Sequence, residues 1–146
     1  MSGLTGDAAP TGLERIAVLL TLIERLCDVM AREGECVRRM AVDRIAELQK
    51  EKRVLAQAYE KELAALRRRP ELLGALPLEA RRQLEEGMRR LQAATRRNAD
   101  VLLAAKTVTE RLLRRVTEAL AEDPAGTAPP PGRSGRVIAV SFDRSV

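Results

Sequence analysis

From Leu84 to Leu120 the chain alternates steps of three and four residues between apolar or small positions. The seam runs through Leu84, Met88, Leu91, Thr95, Asn98, Leu102, Ala105, Thr109, Leu112, Val116 and Ala119. This spacing lays a narrow stripe along one side of an amphipathic helix that needs a partner. A second such stripe starts earlier, through Leu13, Ile16, Leu20, Ile23, Cys27, Met30, Gly34, Val37 and Ala41. It then resumes one residue late at Ile45, Leu48, Leu55, Tyr59 and Leu66. The late step is a stutter, which locally unwinds a coiled coil, and it follows closely on Gly34, a residue costing about 1 kcal/mol in a helix interior. The pattern predicts either one helix bent near Gly34 or two helices meeting there. With no proline or polar cluster to mark a loop, continuity is favoured.

The ends of these elements carry their own signals. Thr11 and Glu14 have the spacing of a capping box just ahead of the apolar run. Pro70 requires the first helix to stop before it, and Arg67, Arg68 and Arg69 complement the negative end of the helix dipole there. Residues 70–77 form a proline-bounded connector, and Pro77 suits the start of the next helix, which runs from about Leu78 to Ala121. So short a connection sets the two helices antiparallel. The fold expected is all-α: an elongated antiparallel helical hairpin or coiled coil over residues 11–123. It follows a disordered leader over 1–10 and precedes a flexible Pro/Gly-rich tail over 124–146. At about 1.5 Å per residue the first helix outruns the second, some 80 Å against 65 Å. The excess falls on the most apolar part of the chain, where Ile16, Val18, Leu19, Leu20, Leu22 and Ile23 cover nearly the whole circumference. Such a surface wants burial on more than one side, by folding back near Gly34, by dimerising, or by receiving a partner's helix.

Composition narrows the chemistry. Aromatic residues make up 1% of the 146-residue chain, so its core must be built from Leu, Ala, Val, Ile and Met. There is no His and no Trp, which removes the commonest general base and metal ligand, and no enzyme, metal or cofactor role is expected. Cys27 and Cys36 fall on opposite sides of a continuous helix and read as two free thiols of a reducing cytoplasm. The apolar run Ile16–Ile23 is far short of the roughly 20 residues that span a bilayer, and no secretory signal opens the chain, which again places it in the cytoplasm.

The formal charge of +5 raises the possibility of nucleic acid. However, Arg82, Arg89 and Arg96, with Arg90, Arg97 and Arg111 in an adjacent row, lie on the side away from the seam, as a solvated face would. Interleaved aromatics are missing, and the spacing of Gly132 and Gly135 sits in a Pro-rich tail, where it reads as a turn. Nucleic-acid binding is therefore disfavoured. Asn98, polar in the middle of a seam, reads as a register-setting residue or as one left half exposed by drift of the stripe. The segment from Val137 to Phe142 is apolar and β-prone, and either packs on its own bundle or adds to a partner as a strand.

The run from Asp43 to Leu55, which contains Leu48 and Lys52, and the later run from Arg97 to Lys106, with Asn98 ahead of Leu102 and Leu103, resemble the FlgN-like flagellar export chaperones. The likeness extends over about residues 13–146, and Lys52 and Asn98 match the family pattern by position. It implies a cytoplasmic, all-helical chaperone that holds hook-associated (hook–filament junction) subunits before type III export and presents them to the export apparatus. The tail departs from the family in having Pro129, Pro130 and Pro131 ahead of Gly132, with Phe142 late. Candidate partner-binding residues are Leu102, Val108, Leu112, Leu113, Val116 and Leu120 on the second helix, and Val137, Ile138, Val140 and Phe142 in the tail. Two rivals remain: a coiled-coil scaffold or adaptor that self-assembles into a homo-oligomer through Leu13–Leu26, and a polyanion-binding hairpin using the outer arginines.

Overall fold

A computed structural model describes residues 11–122, and all four elements among them are α-helices: α1 (Gly12–Arg38), α2 (Val42–Arg67), α3 (Pro70–Gly74) and α4 (Leu78–Ala121). The all-α expectation holds. The leader over 1–10 and the tail over 124–146 lie outside the described residues. The chain divides into two units, one ending at Arg111 and one beginning at Leu112.

Helix α1 starts as its sequence dictates. Glu14 N–H donates to Thr11 Oγ1 at 3.2 Å and Thr11 N–H donates to Glu14 Oε2 at 3.0 Å, closing the capping box. Its end overturns the continuity favoured from the sequence: two helices meet instead, at residues 39–41, a few residues past Gly34. Met40 takes φ 58°, the left-handed conformation that glycine usually fills. Around it Ala41 N–H donates to Cys36 O at 2.9 Å and Met40 N–H donates to Val37 O at 3.2 Å. This pairing is a Schellman motif, which satisfies the last carbonyls of α1 and reverses the chain. The surplus apolar surface at the start of α1 is thus covered by folding back.

Within the first unit α1 and α2 run antiparallel, pinned by Arg15 to Glu62 at 3.5 Å and Arg32 to Glu51 at 3.2 Å. Helix α4 returns antiparallel to α2 and parallel to α1. At the α3 end the core joins Ile16, Leu19 and Ile23 of α1 to Leu66, Leu76, Ala80 and Leu84. Farther along it joins Leu26, Val29 and Met30 to Leu48, Leu55 and Ala94. Residues 70–77 are more than a connector. Pro70 opens the single turn and a half of α3, and Arg81 Nη2 donates to the carbonyls of Leu73 and Gly74 at 2.9 and 3.0 Å. Leu72 and Leu73 pack against the core beneath.

The face that α4 buries differs in detail from its apolar seam. Ala80, Leu84, Gly87, Ala94 and Asn98 are buried, whereas Met88 is half-buried and Thr95 exposed. At Gly87 the cause is the α1 side chains lying over it. A Cβ on Gly87 would stand 3.0 Å from Leu20 Cδ2 and 3.4 Å from Ile23 Cδ1, so α1 fills the space that a side chain there would need. The side chains of Leu20 and Ile23 lie over Gly87, and Met88 packs from the flank.

Two outcomes follow. Met40 is 78% exposed, so Met40→Gly loses no packing and relieves the left-handed strain; net of glycine's greater unfolded-state entropy it should raise stability by about 0.5–1 kcal/mol in urea denaturation. Gly87→Leu should lower stability by about 1–3 kcal/mol in the same assay, because Leu20 and Ile23 must both move. An unchanged midpoint would show that α1 and α4 are not packed this closely.

Candidate partner-binding surface

Three polar side chains meet inside the first unit, one from each long helix. Lys52 Nζ donates to Glu33 Oε2 at 2.6 Å and to Asn98 Oδ1 at 3.2 Å. Asn98 Nδ2 donates in turn to Glu33 Oε2 at 3.2 Å and to the Met30 carbonyl at 3.3 Å. Glu33 is fully buried and its Oε1 has no hydrogen-bond partner, while the Lys52 side chain keeps 25% exposure. A buried carboxylate needs a cation and donors in fixed places, so this cluster specifies how the three helices align. It settles Asn98 as buried rather than left at the edge of a drifting stripe. Lys52 and Asn98, which the family likeness had matched only by position, are in direct contact.

Glu33 was missed by apolar periodicity. Its place was nonetheless marked, for Leu19, Leu26 and Glu33 follow at intervals of seven on the buried side of α1. Nearby, Gly34 is buried and a Cβ there would stand 3.9 Å from Val101 Cγ1, so α4 packs against α1 at this level too. Cys27 and Cys36 are both free. Burial pushes the Cys27 thiol up from its ordinary value, against the opposing pull of Arg90 and Arg97. That holds it in the unreactive thiol form at neutral pH.

The candidate partner-binding residues divide between the two units. In the first, Leu102 is half-buried and Val108 is 64% exposed, with Leu103, which the seam had passed over, exposed as well. In the second, every described residue from Leu112 to Glu122 is exposed. Leu112, Val116 and Leu120 follow at intervals of four with Leu113 beside them, so the four share one side of the helix, at 50–75% exposure. Arg111, Arg114, Arg115 and Glu118 occupy the rest of the circumference, outward from that side. Large aliphatic side chains lined up this way lose nothing to a partner but water. Val137, Ile138, Val140 and Phe142 lie outside the described residues. Arg82, Arg89, Arg90, Arg96, Arg97 and Arg111 are all exposed. The surface Leu13–Leu26, which a self-assembling scaffold would use, is largely spent in the chain's own core, with Leu13 and Val18 the large apolar side chains left outside.

Removing one partner of the polar cluster should cost more than removing all of it. Lys52→Met leaves the Glu33 carboxylate buried without its cation, and stability should fall by about 3 kcal/mol in urea denaturation. The combined change Glu33→Leu, Lys52→Met and Asn98→Leu should recover most of that loss, since no buried charge then remains. A triple variant less stable than Lys52→Met alone would mean that the cluster is net stabilising.

No family model matches the chain, and no solved structure matches it. The chain is 28% identical over 130 residues to the flagellar basal-body protein FlbY of Caulobacter vibrioides. The aligned part takes in 89% of this chain and 87% of that protein. Similarity over nearly the full length of both supports a flagellum-associated protein.

Proposed function

We propose that the chain is a flagellar export chaperone that binds hook-associated (hook–filament junction) subunits in the cytoplasm and presents them to the type III export apparatus. It works by binding, without chemistry of its own. The observation that carries this reading is the uncovered aliphatic side formed by Leu112, Leu113, Val116 and Leu120 on a helix otherwise rich in charge. Four such side chains suit the apolar stripe of a partner helix, the contact through which a helix-in-groove or helix-on-helix interface gains most of its affinity. An export subunit held before assembly has terminal segments that lack their final neighbours, and covering their apolar residues prevents aggregation. The similarity to a flagellar protein supports the setting, and the FlgN-like pattern of Lys52 and Asn98 supports the class. Among the described residues no helix is long and apolar enough to cross a membrane.

A structural place in the basal body is the second reading, favoured by the name of the similar Caulobacter protein. The two differ in where the chain resides: a structural component stays with isolated basal bodies in fixed ratio, whereas a chaperone is released from them.

The direct test uses the full chain and purified hook-associated subunits of the same organism, with affinity read by calorimetry. A complex should form, and Leu112→Asp with Val116→Asp should weaken it at least ~10-fold, the equivalent of about 1.4 kcal/mol. Thermal unfolding should stay within about 1 °C, because both side chains are already in water. Undiminished binding by this variant, or no binding by the parent chain, would refute the chaperone assignment.

A further inference from the structure

The aliphatic side of residues 112–120 is small. Three leucines and one valine can bury on the order of 300–400 Å² per chain, well under the roughly 800 Å² per partner of a stable interface. Two copies of this side packed on each other would not hold together alone. The chain itself, however, carries one further apolar run beyond the described residues, Val137 to Phe142, joined to the end of α4 by residues 124–136.

We infer that this run covers the Leu112–Leu120 side of its own helix when no client is bound, as an internal stand-in for the client. The inference rests on the client-binding reading only for the meaning of the cover, not for its existence. The periodicities agree. In an extended run, alternate residues share a side, and here one side is Ile138, Val140 and Phe142, all large and apolar, while the other is Val137, Ala139 and Ser141. Alternate side chains of a strand recur every 6.6–6.8 Å or so, and helix positions four apart recur about every 6.0 Å. Three apolar side chains can therefore seat against Leu112, Val116 and Leu120 in one register.

The connection allows it. Thirteen residues in extended, proline-rich form reach about 40 Å, against about 12 Å for the side to be covered. A segment tethered this closely is present at an effective concentration in the millimolar range, so even a weak contact is populated. Direction agrees as well, since a chain turning back after Pro124 would run antiparallel to α4 and bring Phe142 level with Leu112.

The test needs no client. In the full chain with Cys27→Ala and Cys36→Ala, the pair Val116→Cys and Val140→Cys should oxidise to a disulfide within the monomer. It should form at least ~10-fold faster than the pair Arg114→Cys and Val140→Cys, whose helix position faces away. In parallel, amide hydrogen exchange over residues 112–121 should quicken at least ~5-fold when Ile138, Val140 and Phe142 are all changed to Asp. Equal oxidation of the two pairs with unchanged exchange overturns the inference, and disulfide-linked dimers as the main product overturn it in favour of a second copy. Because neither measurement involves a subunit, protection by the tail together with failure to bind any hook-associated protein would leave the self-cover standing and remove the chaperone reading. With both correct, the triple Asp variant binds the subunit more tightly than the parent chain does.

Discussion

The buried carboxylate of Glu33 is the constraint on which the first unit depends. Apolar side chains on helices can slide past one another by a turn with modest loss, since one leucine resembles the next. A fully buried carboxylate cannot. It must find the Lys52 ammonium from α2 and the Asn98 amide from α4 at the same level, or its desolvation goes uncompensated. Those two contacts fix the register of α2 and α4 against α1. Asn98 also reaches the Met30 carbonyl, so the cluster ties a side chain of α4 to the backbone of α1. In a chain whose core is nearly all Leu, Ala, Val, Ile and Met, this is the feature that distinguishes one alignment from its neighbours.

Packing around the cluster follows from small residues. Gly87 and Ala94 are buried where the apolar seam of α4 would have put Met88 and Thr95, and at Gly87 the side chains of Leu20 and Ile23 fill the space that a larger residue would need. Tyr59, the aromatic residue of α2, sits half-buried between the two parts of the core. Burial pushes its hydroxyl up from the ordinary value, against the opposing effect of Arg67, and keeps it neutral across the physiological range. Leucine, isoleucine, valine and methionine from α1 and α2, packed over the small residues of α4, replace the aromatic bulk that the composition lacks.

What could be read from the sequence, and what could not, divides along the same physical lines. The capping box at Thr11 and Glu14, the stop before Pro70 and the start of α4 beyond Pro77 are local chemistry, and each was visible in a few residues. The end of α1 was not. Schellman turns are announced by glycine, and here methionine holds the left-handed position while the one nearby glycine, Gly34, lies inside the helix. The stutter pointed to the right neighbourhood, but the lack of proline or a polar cluster argued for continuity where the chain in fact breaks. Glu33 escaped because hydrophobic patterning discards a charged residue by definition, although its heptad spacing from Leu19 and Leu26 was in plain view. Of the candidate surface, exposure of Val108 and of Leu112 to Leu120 could not follow from periodicity, since a seam looks the same whether a partner covers it or not.

That last point bears on how the helix beyond Leu112 can be both ordered and uncovered. Helix nucleation is the costly step, and turns preceding Leu112 have already met it, so each further residue adds one backbone hydrogen bond at little loss. Thr109 and Thr117 donate their hydroxyls to carbonyls one turn back, and Lys106 lies 3.9 Å from Glu110. Such exposed contacts contribute a few tenths of a kcal/mol each, enough to bias the backbone toward helix but not to bind anything. Leucine and valine on that helix therefore gain nothing from folding by themselves. Their presence at intervals of four, where arginine or glutamate would serve solubility better, makes sense only if something apolar comes to cover them.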